Sequence, residues 1–297
     1  MDWIEIVVGF GCNCRCRVCA SASQAHVPAM SAEEIAGWLS RSREGGARHV
    51  WFGGGEPTLH PDLIRSIERA RYLGYRRIRI QTNGIRFAYL PFARRCLEAG
   101  ANEFSLSIKG ADADVHDQIT RNPGSFDRLI EGTRNLVEAG ARVEGDILIT
   151  TLSMPGLADA VERFAALGLC RFTFWLASRF GMESEGIEDL LPRMTDLMPH
   201  MESAFQAADR AKVAATTLHT PPCVLKPEYR KRYVHSGTWK LNVITPRSEP
   251  FAAEESPIEG GVYPEGCAAC ALRPDCLGLR RDYLDLFGAE EFSPVSN

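Results

Sequence analysis

The 297-residue chain has no run approaching the roughly 18 consecutive apolar residues that mark a membrane span, so no segment reads as transmembrane. A basic n-region and an apolar h-region are also missing from the opening Met1-Asp2-Trp3-Ile4-Glu5, which does not read as a secretory signal. The expected location is therefore cytoplasmic. Positive charge is not in excess: 34 Lys and Arg face 38 Asp and Glu, a net charge of -4. That balance argues against a nucleic-acid partner held by a general basic field. Internal repeats and low-complexity tracts are lacking, as is any Ser/His/Asp or Cys/His arrangement that would mark a hydrolytic nucleophile. The remaining composition, 45% hydrophobic and 24% charged, is that of a globular protein long enough for one large domain and a small annex.

Cysteine is the residue the chain has in plenty, with ten. Without an export signal these do not read as a disulfide framework; in a reducing compartment, clustered thiols hold a metal or do redox chemistry. Cys12, Cys14, Cys16 and Cys19 cluster near one end, Cys267, Cys270 and Cys276 near the other. Cys96, Cys170 and Cys223 stand alone, and Cys96 and Cys170 read as buried core thiols from the apolar residues that alternate with them.

Between residues 4 and 176 short β-type runs alternate with helical ones. Ile4 to Val8, His49 to Phe52, Arg77 to Gln81, Phe104 to Ile108, Val143 to Thr151 and Cys170 to Leu176 read as strands. Helices are expected from Ser31, whose spacing to Glu34 is that of a capping box, and from Pro61. Others precede Gly100, run from a Ser125 cap to Gly140, and lie near residues 157 to 168. A longer helix over 189 to 211, with Pro199 kinking it, carries Met194, Leu197, Met201 and Phe205 on one packing face. Such alternation implies an α/β fold with a parallel sheet, either barrel-like or doubly wound, and puts chemistry at the C-terminal strand ends. After Pro221-Pro222-Cys223 the texture turns polar and Gly/Pro-punctuated. A boundary near 215 divides the chain into domains 1–215 and 216–297.

Cys12, Cys16 and Cys19 follow the first strand as C-x3-C-x2-C. Three thiolates on one tight loop suit a four-iron cluster with one iron left open; a zinc site with Cys14 as fourth ligand is the alternative, although C-x-C-x-C-x2-C is poor zinc spacing. Gly53-Gly54-Gly55-Glu56-Pro57-Thr58 ends the second strand, where glycines admit a ligand to the backbone and a carboxylate can accept from an ammonium group. Together with Thr82-Asn83-Gly84, Ser105-Leu106-Ser107, His116-Asp117 and Pro123-Gly124-Ser125-Phe126, this order resembles the radical S-adenosylmethionine (SAM) superfamily over about residues 4 to 176. The resemblance implies a partial (β/α)6 barrel. It implies a [4Fe-4S] cluster on Cys12, Cys16 and Cys19 whose fourth iron takes the amino and carboxylate groups of SAM. Gly54, Gly55 and Glu56 would hold the methionine amino group; Ser107 and Ser105 would lie near the ribose. The implied reaction is reductive cleavage of SAM to a 5′-deoxyadenosyl radical that takes a substrate hydrogen, with flavodoxin or ferredoxin as electron donor. Val18 stands where the family often has an aromatic residue, which weakens an adenine-side contact.

Cys267, Cys270 and Cys276 read C-x2-C-x5-C and, alone, suit a zinc knuckle. With Gly278, Tyr283, Phe287-Gly288 and Pro294 they resemble the auxiliary-cluster extensions of that superfamily, called Twitch or SPASM. This implies a small C-terminal cysteine-rich iron–sulfur domain with one auxiliary [4Fe-4S] cluster and Cys223 as its fourth ligand. A three-ligand cluster open to substrate and a hydrogen-donating Cys223 are the other readings.

Cys14 and Lys109 are the candidate catalytic residues, the first a thiol between two ligands and the second a cation for a substrate carboxylate. Their bland readings are a loop passenger and an exposed lysine. Arg79 and Gln81 either face a substrate inside the barrel or form a salt-bridged face, and His60, His116 and Arg121 suit turns and caps. Enzymes with such extensions often modify ribosomally made peptides, so the expected reaction is a cross-link, thioether or epimerisation. Radical oxidation or rearrangement of a small molecule is the alternative, and a non-catalytic iron–sulfur or zinc protein the rival from another class. Because the first strand starts at residue 4, leader recognition is expected from a separate protein.

Overall fold

A computed structural model describes residues 2–179 and 188–296. The strands are β1 (Trp3–Val7), β2 (His49–Gly53), β3 (Arg77–Thr82), β4 (Glu103–Ile108), β5 (Arg142–Ile149), β6 (Arg171–Leu176), β7 (Ala214–Leu218), β8 (Leu241–Ile244) and β9 (Phe251–Ala252). The helices are α1 (Ala32–Glu44), α2 (Leu63–Tyr72), α3 (Leu90–Ala99), α4 (Ala113–Thr120), α5 (Ser125–Glu138), α6 (Leu157–Ala166), α7 (Met194–Ala211) and α8 (Arg281–Phe287). One sheet takes every strand in the order β7-β6-β5-β4-β3-β2-β1-β8-β9, all parallel except the last pair. The order climbs by one from β1 to β7, without the reversal that defines a doubly wound sheet. With β7 and β9 as its edge strands, the sheet is an open, partial barrel. Residue 215 lies inside β7, so the sheet draws strands from both sides of the boundary expected near that position.

The alternation in β3 shows how the sequence sets the two faces. Ile78 and Ile80 are buried in the main apolar core with Ile67 of α2 and Ala93 of α3, while Arg79 and Gln81 point to the concave side. On that side Arg79 pairs with Glu103 and Glu144, and Gln81 Nε2 donates to Asp146 at 2.9 Å. The polar face is thus both inside the barrel and salt-bridged.

Local signals decide the helix ends. The capping box forms: Ser31 accepts from Glu34 N–H, and the Glu34 carboxylate accepts from Ser31 N–H at 2.7 Å. Pro61 does not open α2; Asp62 is the N-cap and the helix begins at Leu63. Ser125 is the first residue of α5 rather than its cap. Gly124 holds the cap position with a left-handed φ of 80°, and Asp117 of α4 accepts from Gly124 N–H, Ser125 Oγ and Phe126 N–H. The expected start of the long helix at 189 is corrected to Met194. Pro192 disfavours helical geometry at the residue before it, leaving only a short turn over Glu188–Leu190. The helix continues through Pro199. Cys96 is fully buried, but Cys170 is exposed. Cys170 precedes β6 at the sheet's lower edge, where the alternation of Phe172 and Phe174 no longer applies.

The C-terminal segment is clamped to the upper end of β6. Arg280, 3% exposed, donates to the Leu176 and Ala177 carbonyls at 2.9 and 2.8 Å and pairs with Asp282. Tyr283 OH accepts from Met194 N–H at 2.8 Å. No helix among the described residues is long and apolar enough to cross a membrane.

Candidate active site

The loop after β1 and the turn after β2 are zipped backbone to backbone. Gly55 N–H donates to the Gly9 carbonyl and Glu56 N–H to the Gly11 carbonyl, each at 2.9 Å. A Cβ on Gly54, whose φ is +129°, would lie 2.2 Å from Gly9 O, and one on Gly55 2.3 Å from Phe10 O. Only glycine allows this approach. On its far side the thiol loop is pinned to α4, with Arg15 N–H on Thr120 O and Arg17 N–H on Ile119 O at 3.0 and 2.8 Å.

The loop gathers its thiols. Cys12 is exposed, while Cys14, Cys16 and Cys19 are half-buried. Hydrogen bonding from Cys14 lowers the Cys12 thiol, and the same donor, helped by Lys109, brings Cys16 down to about 6. Burial pushes Cys19 up, with further raising from the charges of Cys16 and Cys12. Cys14 is raised by its bonds to both neighbours, and the Asn122 and Asn83 amides reach its sulfur at 3.6 and 3.7 Å. Three soft thiols on one short loop, two of them favoured as thiolates, are by chemistry a donor set suited to a four-iron cluster with one free site. Among the described residues no three His, Cys, Asp or Glu side chains converge on a single ion.

Glu56 is 3% exposed and fully engaged. Its Oε1 accepts from Thr58 N–H at 3.0 Å, Thr58 Oγ at 2.6 Å and Thr82 Oγ at 2.7 Å; its Oε2 accepts from Asn83 N–H at 2.7 Å. Burial raises its carboxyl while these bonds oppose the shift. The carboxylate therefore ties the end of β2 to the end of β3. Asn83, to which no role was assigned from sequence, joins the same group to the thiol loop through Asn13 Oδ1 at 2.7 Å. Its place directly after a strand was the available signal.

Further round the concave face, Ser105 is buried and its hydroxyl donates to Asp146. Ser107 lies opposite Asp146 in register and accepts from Lys109 Nζ at 2.6 Å. Lys109 is 8% exposed, not the exposed lysine of the bland reading. Its backbone N–H donates to His116 Nδ1 at 3.2 Å. Burial, with Lys109 nearby, takes His116 down to about 3, so it is neutral. His60 bonds Met30 O and Asp62 N–H, and Arg121 ends α4 in left-handed geometry. Val18 packs with Ile119 and Leu191.

The C-terminal thiols meet as well. Cys223, Cys267, Cys270 and Cys276 line one cavity of about 70 Å³, walled by Pro222, Leu272, Leu279 and Phe292. Burial, then the three neighbouring thiols, raises Cys223 to about 11. Gly278 N–H points to Cys276 Sγ at 3.3 Å and Val295 N–H to Cys270 Sγ at 3.4 Å. Four sulfurs in a largely apolar cavity with two amide donors are a donor set suited to a coordinatively closed cluster.

An open parallel barrel with a thiol loop at the end of its first strand has a donor set suited to an iron–sulfur centre. Residues 6–168, more than half of the chain, match the family model described as the radical SAM superfamily, and the chain belongs to that superfamily. Membership carries a [4Fe-4S] cluster and SAM as cofactors. The chain is similar to a probable GTP 3′,8-cyclase of Methanopyrus kandleri, 31% identical over 168 residues that cover 55% of this chain and 53% of the relative. It is also similar to the mycofactocin maturase MftC of Mycobacterium tuberculosis, 30% identical over 176 residues, 58% of this chain and 40% of the relative. The chain thus spans about half the length of the curated relatives it matches. Among solved structures, Streptococcus suis SuiB bound to its precursor peptide SuiA shares the fold with a TM-score of 0.68 and 17% identity, over 99% of this chain and 75% of SuiB.

Proposed function

We propose that this radical SAM enzyme takes a hydrogen atom from a ribosomally made peptide to form a cross-link or thioether, or to invert a stereocentre. A second [4Fe-4S] cluster in a Twitch-like segment, held by Cys223, Cys267, Cys270 and Cys276, belongs to this reading. The cysteine-rich part of residues 216–297 carries it, while β8 and β9 from the same stretch extend the barrel's own sheet. The supporting observation is extent: the likeness to peptide-bound SuiB covers 99% of the chain, running through the C-terminal cysteines as well as the barrel.

When bound, the cluster and SAM supply a 5′-deoxyadenosyl radical. The chain's own residues do the rest. Cys12, Cys16 and Cys19 are the ligands. Gly54 and Gly55 would offer bare backbone to the methionine end of SAM, and Glu56 holds that turn in shape through Thr58, Thr82 and Asn83. Ser107 and Ser105 line the ribose side. Lys109, oriented by Ser107, receives a substrate carboxylate; Cys14 lies beside the reacting centre as a candidate hydrogen donor. A flavodoxin or ferredoxin supplies electrons, and a separate protein presents the peptide leader.

The test is anaerobic incubation of the full chain, reductant and SAM with the short peptides encoded beside its gene, followed by mass spectrometry. A peptide that loses a pair of hydrogens, or takes up solvent deuterium at one Cα, supports the reading. Unchanged peptides while a small metabolite is consumed would move the assignment to small-molecule chemistry.

A further inference from the structure

The concave face of the sheet holds a second cavity, of about 300 Å³, away from the thiol loop. Trp3, Arg77, Arg142, Arg171 and Leu241, each the first residue of its strand, form its rim, so it lies in the N-terminal half of the barrel. Barrels usually fill this layer with packed side chains. Here the layer is open, at the lower end of the size range of small-molecule pockets.

Its walls are chemically selective. Trp3, Trp51, Trp175 and Trp239 line it, four of the five tryptophans in the chain. Among the described residues the indole N–H groups of Trp51 and Trp175 are buried without an acceptor, and Trp51 is only 4% exposed. A buried donor left unpaired costs about 1–3 kcal/mol, so these two mark places for a ligand's acceptor atoms. Arg77 and Arg79 lie over the Trp3 ring at 4.9 and 5.7 Å, which holds that aromatic wall in place.

The charge is unbalanced. Arg77, Arg79, Arg142 and Arg171 share two carboxylates, Glu103 and Glu144. Arg171 has only a 3.7 Å contact with Glu144, no hydrogen bond among the described residues, and a side chain 43% exposed. At the upper end Asp146 is engaged by Ser105 and Gln81. Burial, then the charge of Glu259, raises Glu5 to about 7, so Glu5 carries about half a negative charge at neutral pH while Glu259 stays ionised; neither side chain lines the cavity.

We propose that the lower lumen is a binding site for a planar aromatic carboxylate, its ring against the tryptophan faces and its acceptor oxygens shared between Arg171 and the buried indole N–H groups. An amine would meet the arginines with the wrong sign, and an aliphatic acid would leave the aromatic faces without a matching partner. The acid could come free or as the C-terminal aromatic residue of a peptide. The site stands independently of the peptide reading above, because binding is measured without SAM cleavage.

The experiment titrates the full-length protein with phenylacetate, N-acetylphenylalanine, phenethylamine and cyclohexylacetate, following tryptophan fluorescence and calorimetric heat. One of the two aromatic acids should bind saturably, and the tighter of the two identifies a free acid or a peptide terminus as the source. Phenethylamine and cyclohexylacetate should bind at least about tenfold more weakly. Arg171→Gln and Trp51→Phe, each checked for an unchanged melting temperature, should weaken the acid about tenfold. Trp38→Phe, the tryptophan outside the cavity, should leave the affinity unchanged. No saturable binding of either acid, equal binding of the amine, or full affinity in both folded cavity variants would overturn the proposal.

Discussion

Gly9 and Gly55 are bonded through their backbones, with the Gly55 N–H on the Gly9 carbonyl at 2.9 Å. This contact sets the thiol loop flush against the glycine turn, so the proposed cluster ligands and the backbone proposed to meet SAM are held as one unit. Position and chemistry are coupled there by the lack of any side chain between them.

Gly55→Ala should therefore be far worse than Gly11→Ala. The new Cβ at 55 would stand 2.3 Å from Phe10 O and 2.5 Å from Gly11 O, whereas one at 11 meets nothing within 4 Å. Overpacking of this kind costs about 1–3 kcal/mol. Melting temperature and iron retained after reconstitution should both fall for Gly55→Ala and stay near wild type for Gly11→Ala.

Glu56→Ala removes the acceptor of four donors contributed by Thr58, Thr82 and Asn83. Leaving such donors buried and unpaired should cost about 1–3 kcal/mol in denaturant unfolding. SAM affinity, measured by calorimetry, should drop with it, while the thiol ligands still take up a cluster.

Reconstituted wild type should carry about eight irons, four for each of two clusters. Cys223→Ala should lower that count by about four if Cys223 closes the second cluster. A count that stays near eight in the variant removes Cys223 from the ligand set.

Glu5 gives a pH dependence with a definite sign. Burial, with Glu259 and Asp146 adding and Arg79 opposing, raises its carboxyl from 4.5 to about 7. The folded state then holds a proton that the unfolded chain releases, so stability falls as pH rises from 4.5 through about 7. The full loss is about 3 kcal/mol. Glu5→Gln should flatten that fall in urea titrations and be the more stable protein at alkaline pH.

Much of the fold was legible because it rests on short-range patterns. Alternation placed β1 to β6 to within about a residue or two at most ends, and the Ser31 capping box formed as spaced. The strands that were missed, β7 with Ala-Ala-Thr-Thr-Leu, β8 with Leu-Asn-Val-Ile and the two-residue β9, are short and weakly patterned, and gain their stability by joining the edges of a sheet made elsewhere. Asp117 capping α5 from a different helix is likewise a tertiary fact with no local signature. Within the site, thiol spacing announced the loop, while the commitment of Glu56 to Thr82 and Asn83 needed the neighbouring strand in place. The four-tryptophan lumen had no sequence signature, since its residues come from strands far apart in the chain.

The central claim is that the loop of Cys12, Cys16 and Cys19 builds a SAM-cleaving centre. Its most direct test is the yield of 5′-deoxyadenosine from anaerobically reconstituted wild type and Cys16→Ala, each given SAM and dithionite. The account predicts the nucleoside from wild type and none above the protein-free blank from the variant. Equal yields from the two proteins, whether high or absent, would contradict it.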